Sequence, residues 1–139
     1  MTLPIFHLAF PVSDLAEAER FSVATFGAII GRRTDAWIDL LLFGHQLTIH
    51  ERPGEVLRAE DRGVRHFGVI LGWDDWQALA ESLRAKGVAF VRAPSIVHQG
   101  TALEEGTALL ADPSGNLIEL KSYRNFEAVL ASDRVRDCP

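Results

Sequence analysis

Three side chains in this sequence have the type and the setting to hold a metal ion: His7 in IFHLAFPV, His66 in VRHFGVIL and Glu119 in NLIELKS. Each lies in a short apolar run that reads as a β-strand. Side chains alternate along a strand. His7 therefore shares a face with Ile5 and Ala9, while the bulkier Phe6, Leu8 and Phe10 share the other and are expected under a helix. The same count sets His66 with Gly68 and Ile70, and Glu119 with Leu117 and Lys121. A carboxylate inside an apolar strand is costly to bury unless it is paired or coordinates a metal. A single histidine in such a place is more often a hydrogen-bonded core residue. Two at matched positions, with one in-strand glutamate, form the two-histidine, one-carboxylate set. That set occupies one side of Fe(II) and leaves positions open for substrate and oxygen. Mn, Zn, Ni or Co fit the same ligands.

These residues are positioned by a repeat. Residues 5–12 read as a strand. Ser13 and Asp14 are N-cap types, and Leu15, Ala18, Phe21, Ser22 and Thr25 follow at helical spacing until Gly27. Strands are expected over 28–33, 36–43 and 46–51, with Gly44-His45 turning between the last two. The polar stretch 52–63 reads as a linker. The order then recurs: a strand over 64–71, and a helix over 73–86 whose stripe is Trp76, Leu79, Ala80 and Leu83. Gly87 stops that helix. A strand over 88–92 follows, then a longer loop over 93–105 with room for a short strand, and strands over 106–111 and 116–122 joined by the turn Asp112-Pro113-Ser114-Gly115. Asp74 and Asp75 read as helix caps. The tail 123–139 carries a weak helical pattern through Phe126, Val129 and Leu130.

A chain of 139 residues can bury a core as one domain without disulfides, and Cys138 has no second cysteine to pair with. The net charge of −5 and the scattered arginines argue against nucleic acid. No helix has a basic polar face suited to a membrane surface, and no apolar run is long enough to span one. The opening MTLPIFHLAF lacks the parts of a signal peptide, so a cytoplasmic protein is expected. P-loop, dinucleotide, zinc-finger and GxSxG patterns are absent.

The β-α-β-β-β repeat, the histidines of FHLAFPV and RHFGVIL, and the ending DPSGNLIEL resemble the vicinal oxygen chelate superfamily. That superfamily includes glyoxalase I, extradiol dioxygenases, fosfomycin-modifying enzymes and bleomycin-binding proteins. The segments WIDLLLFGHQ and HFGVILGWDDWQALAESLRAKGV are further similar to a subgroup of small predicted extradiol dioxygenases. The resemblance implies an α+β fold: two tandem βαβββ modules, 5–51 and 64–122, whose mixed sheet curls into a cup. It implies metal ligands on the first and last strands of the modules, which here are His7, His66 and Glu119. The fourth such position falls on Thr48, a poor ligand. Glyoxalase I-like members carry a carboxylate there, whereas the dioxygenases use a His, His, Glu triad. His50, two residues further along the strand, becomes a ligand only if the register shifts.

The activity this implies is a metal-dependent dioxygenase of the extradiol type, with Fe(II) the expected metal and a small substrate bearing adjacent oxygens. The alternatives are a glyoxalase-like lyase or isomerase and a non-catalytic binder of a drug or metabolite. His98 in the long loop and Tyr123 just past Glu119 are candidates for proton transfer, with a solvated loop residue the plainer reading of each. His45 and Gln46, at a strand mouth, are candidates for substrate hydrogen bonds. A homodimer is the expected assembly. Trp37, Trp73 and Trp76 read as packing residues and Ser114 as turn chemistry.

Overall fold

The computed structural model describes residues 3–129, and the end of the expected C-terminal pattern, from Leu130 on, lies outside them. The chain divides into two compact units. The first is Met1–Arg65 with Ala111–Asn116; the second is His66–Leu110 with Leu117–Pro139. Each has a four-stranded mixed sheet, which bears out the α+β class and the tandem βαβββ order.

In the first unit β1 is His7–Val12, β2 Ile29–Arg33, β3 Trp37–Leu42 and β4 His45–Glu51, arranged β1-β4-β3-β2. β1 runs parallel to β4, and β4-β3 and β3-β2 are antiparallel. The first and last strands of the module are thus neighbours, so residues far apart in sequence share one patch of sheet. Helix α1, Leu15–Phe26, starts where Asp14 Oδ1 accepts the Glu17 N–H at 2.8 Å and Glu51 Oε2 accepts the Leu15 N–H at 2.9 Å. It ends at Gly27, whose φ of 68° an L side chain would resist. One face of the sheet carries Ile38, Leu40, Leu47 and Ile49, all buried, and α1 packs on β3 and β4. Burying side chains of this size stabilises by about 2 kcal/mol each. The opposite face carries His7, Asp39, Gln46 and Thr48, as strand alternation requires. Phe6 does not join the apolar face: it stands ahead of β1, 66% exposed.

In the second unit β5 is Phe67–Ile70, β6 Phe90–Val97, β7 Glu105–Ala111 and β8 Leu117–Tyr123, in the matching order β5-β8-β7-β6. β5 is parallel to β8. Helix α2, Trp73–Ala85, buries Trp76, Ala80 and Leu83, and the Trp76 indole N–H donates to Leu120 O at 3.0 Å. Its N-cap is Gly72, without a side-chain bond; Asp74 and Asp75 lie inside the first turn, where they suit the helix dipole instead of capping. β6 extends through Pro94 into the expected loop. It is an edge strand, where a missing N–H is tolerated. The turn before β4 is Phe43-Gly44, and His45 already belongs to the strand. A short helix α3, Phe126–Val129, follows β8. No helix among the described residues is long and apolar enough to cross a membrane.

Candidate functional site

Glu119 sits mid-β8 on the face turned away from α2, its side chain 12% exposed. Its Oε1 accepts from the Thr107 hydroxyl at 3.0 Å and from Arg92 Nη2 at 3.1 Å. Its Oε2 lies 2.9 Å from His66 Nε2. One oxygen is therefore anchored by neighbouring strands and the other meets an imidazole. His66 precedes β5 by one residue and is partly exposed. Opposite Glu119 in the β5-β8 register stands Gly68, where a Cβ would run into the Glu119 backbone. The glycine lets the two strands approach at the point that sets the carboxylate beside His66.

The first unit places His7 opposite Gln46 and Ala9 opposite Thr48, the same offsets that relate β5 to β8. Thr48 thus takes the place of Glu119, as expected from the sequence. A carboxylate is nonetheless present there, on the next strand. Asp39 pairs with Thr48 across β3 and β4; its Oδ1 accepts the Thr48 hydroxyl at 2.7 Å and its Oδ2 accepts Arg32 Nε at 2.8 Å. Asp39 is buried. The Thr48 hydrogen bond, with Arg32 and the more distant His7 also contributing, holds its carboxyl below the usual range against the opposing effect of burial.

The two units thus carry the same group in two arrangements. In the first, arginine, carboxylate and threonine are Arg32 on β2, Asp39 on β3 and Thr48 on β4; in the second they are Arg92 on β6, Thr107 on β7 and Glu119 on β8. Carboxylate and threonine have exchanged strands. Sequence reasoning missed Asp39, Arg32 and Arg92. A signal existed: each arginine is the fifth residue after the glycine that ends its helix, Gly27 or Gly87.

Residues 5–120 match the family model of the Glyoxalase/Bleomycin resistance protein/Dioxygenase superfamily. The chain belongs to this superfamily. A glyoxalase/bleomycin resistance protein/dioxygenase from Alicyclobacillus acidocaldarius is 33% identical, with a TM-score of 0.81 over 91% of this chain and 96% of that one. The fold alone is shared with the fosfomycin resistance protein FosX of Listeria monocytogenes, at 20% identity and a TM-score of 0.70 over 94% of this chain and all (100%) of that one. It is shared also with lactoylglutathione lyase of Agrobacterium tumefaciens, at 17% and 0.63 over 86% and 92%. Curated proteins give no match.

Members of the superfamily usually bind a divalent metal ion and small-molecule substrates, and often form oligomers. Among the described residues no three His, Cys, Asp or Glu side chains are grouped closely enough to hold such an ion. The His66–Glu119 pair does fit two of its ligands. An imidazole nitrogen and a carboxylate oxygen converge, and the second carboxylate oxygen is hydrogen-bonded in the manner that orients metal ligands.

The other candidates are described each within its own unit. Gln46 lines a cavity of about 440 Å³ in the first unit together with His7, Arg32 and Asp39. His45 Nδ1 accepts the Phe6 N–H at 3.1 Å and so ties down the chain ahead of β1. His50 shares the Thr48 face, opposite Pro11 and Trp37. His98 is exposed at φ 52°, its carbonyl accepting from the Thr101 N–H and hydroxyl. The Tyr123 ring is buried edge-on to Phe126, 6.2 Å away, and the neighbouring Lys121 ammonium binds Glu105 at 3.0 Å. Ser114 is turn chemistry as expected: its hydroxyl accepts the Ser13 N–H and its carbonyl accepts Arg62.

Proposed function

We propose that this protein is a divalent-metal-dependent dioxygenase of the extradiol type, acting on a small substrate with two adjacent oxygens. The observation that carries the reading is the His66–Glu119 pair, 2.9 Å apart on the polar face of its sheet. His7, at the matching register position of the first unit, is the proposed third ligand, supplied by the same chain or by the second copy of a homodimer. Fe(II) is the proposed metal, since two histidines and one carboxylate suit it. Bound there, it would act as a Lewis acid on both substrate oxygens.

The chain's own residues account for the rest. Arg92 and Thr107 hold Glu119 by one oxygen and so keep the other directed at His66. Gln46, beside His7, is proposed to hydrogen-bond substrate, with His45 at the strand mouth in a lesser part because its Nδ1 is already engaged. His98 and Tyr123 are the proposed proton carriers. A four-ligand lyase is not favoured: Thr48 supplies no carboxylate, and both oxygens of Asp39 are taken by Thr48 and Arg32.

The test is metal content. Protein purified without chelators should hold stoichiometric divalent metal, and oxygen-free Fe(II) loading followed by a screen of catechols should give oxygen uptake. Protein that neither holds nor takes up metal ends this reading. Metal-loaded protein inert toward every catechol turns it to the lyase.

A further inference from the structure

Arg32 is pinned in place yet open to solvent. Its side chain is 78% exposed, but its Nε is bonded to buried Asp39 and its guanidinium lies over the Trp37 ring, 5.5 Å from the centroid. Among the described residues neither of its terminal nitrogens has a hydrogen-bond partner. An ordinary exposed arginine samples many rotamers, and fixing one costs up to about 2 kcal/mol. Here the fold has already met that cost. The remaining N–H groups form a rigid planar fork, the geometry that accepts two oxygens of a carboxylate or phosphonate side by side.

The cavity beside it has matching chemistry. His7 and Gln46 stand opposite each other across β1 and β4 and add polar groups to the wall. Ile5 and Leu41 supply apolar wall. Asp39 and Arg32 offset each other's charge, so an incoming anion meets a near-neutral pair and is held by the N–H groups of the fork.

We propose that Arg32 is the anion-recognition residue of this cavity, and that its ligand is a small molecule with an apolar body and a planar or tetrahedral anionic oxygen group. The assignment of that ligand as substrate rests on the dioxygenase reading, but the binding itself does not need the metal.

The experiment therefore uses chelator-treated and Fe(II)-loaded full-length protein side by side, with benzoate and its uncharged analogue benzamide as probes in calorimetric titrations. Wild type should bind benzoate at least about tenfold more tightly than benzamide in both forms. Arg32→Gln should bring that ratio close to one, and Arg32→Lys, which keeps a cation beside Asp39 but loses the fork, should fall between them. Equal binding of the two probes, an unchanged ratio in Arg32→Gln, or no benzoate binding at millimolar concentration overturns the proposal. Thermal melts of each variant separate loss of the ligand contact from loss of the fold. Failure of metal to bind, with the benzoate preference intact in metal-free protein, counts against the dioxygenase reading alone.

Discussion

Thr48 donates its hydroxyl to Asp39 at 2.7 Å in the first unit, and Thr107 donates its hydroxyl to Glu119 at 3.0 Å in the second. The bond is the same, but the carboxylate stands on the third strand in one unit and on the fourth in the other. The exchange has chemical consequences. Glu119, on the strand next to β5, meets His66. Asp39, one strand farther from β1, is closed off by Arg32 and Thr48.

Asp39 should make stability depend on acid. Its folded carboxyl lies below the ordinary value of 3.8, chiefly because of the Thr48 hydrogen bond. A depressed carboxyl stabilises the fold above its unfolded value and loses that contribution as pH falls through its folded one. Asp39→Asn should therefore cost about 1–3 kcal/mol near pH 7. The gap from wild type should narrow below 3.8. Urea melts at neutral pH and near pH 3 measure it; a gap that stays constant across that range contradicts the assignment.

His66→Ala and Glu119→Gln should each lower bound metal, because each removes one of two converging donors. Glu119→Gln has a second effect: Arg92 loses the negative charge of its partner. A fall in metal content with Glu119→Gln but none with His66→Ala would leave the carboxylate in the site and remove the histidine from it.

Much of this arrangement was legible in the sequence, and the reasons for the rest are physical. The helix stops at Gly27 and Gly87 and the cap at Asp14 are local chemistry, and they place the strands. Strand parity put Glu119 on the polar face correctly. His66 followed by extrapolation, since β5 begins one residue later. The length of β6 was hidden because Pro94 reads as a breaker in sequence, and only the sheet order makes it an edge. Asp39 was hidden because position 48 was judged by its own residue, whereas a sheet lets the neighbouring strand supply the carboxylate. Arg32 went unassigned for the same reason: the residue that holds it is seven positions away along a hairpin.

Gly68→Ala should be among the most damaging single changes in the second unit. An added Cβ would overlap the Glu119 backbone, so β5 must shift or separate from β8. Costs of this kind reach about 4 kcal/mol, at the severe end for one substitution. The reverse change at the corresponding place, Ala9→Gly opposite Thr48, should cost no more than about 1 kcal/mol. Thermal melts of the pair check the asymmetry; a mild Gly68→Ala would mean that β5 has room the register denies it.

Arg92 acts on the proposed metal through Glu119, and that role can be separated from a merely structural one. Its Nη2 holds Oε1 at 3.1 Å while its own side chain stays 53% exposed, so its removal uncovers little core. Stability should therefore change by less than about 1 kcal/mol, as for other exposed ion pairs. Metal affinity should change more, because a ligand carboxylate released from its orienting partner typically costs 10–100-fold in binding. In Arg92→Gln the metal content at saturation should match wild type while the dissociation constant weakens by about tenfold, the low end of that range because Thr107 still holds the same oxygen. Thr107→Val on top of Arg92→Gln should weaken it further. Competition titrations with a chelating dye give the constants. An Arg92→Gln protein that binds metal as tightly as wild type would show that the carboxylate is oriented by the strand alone.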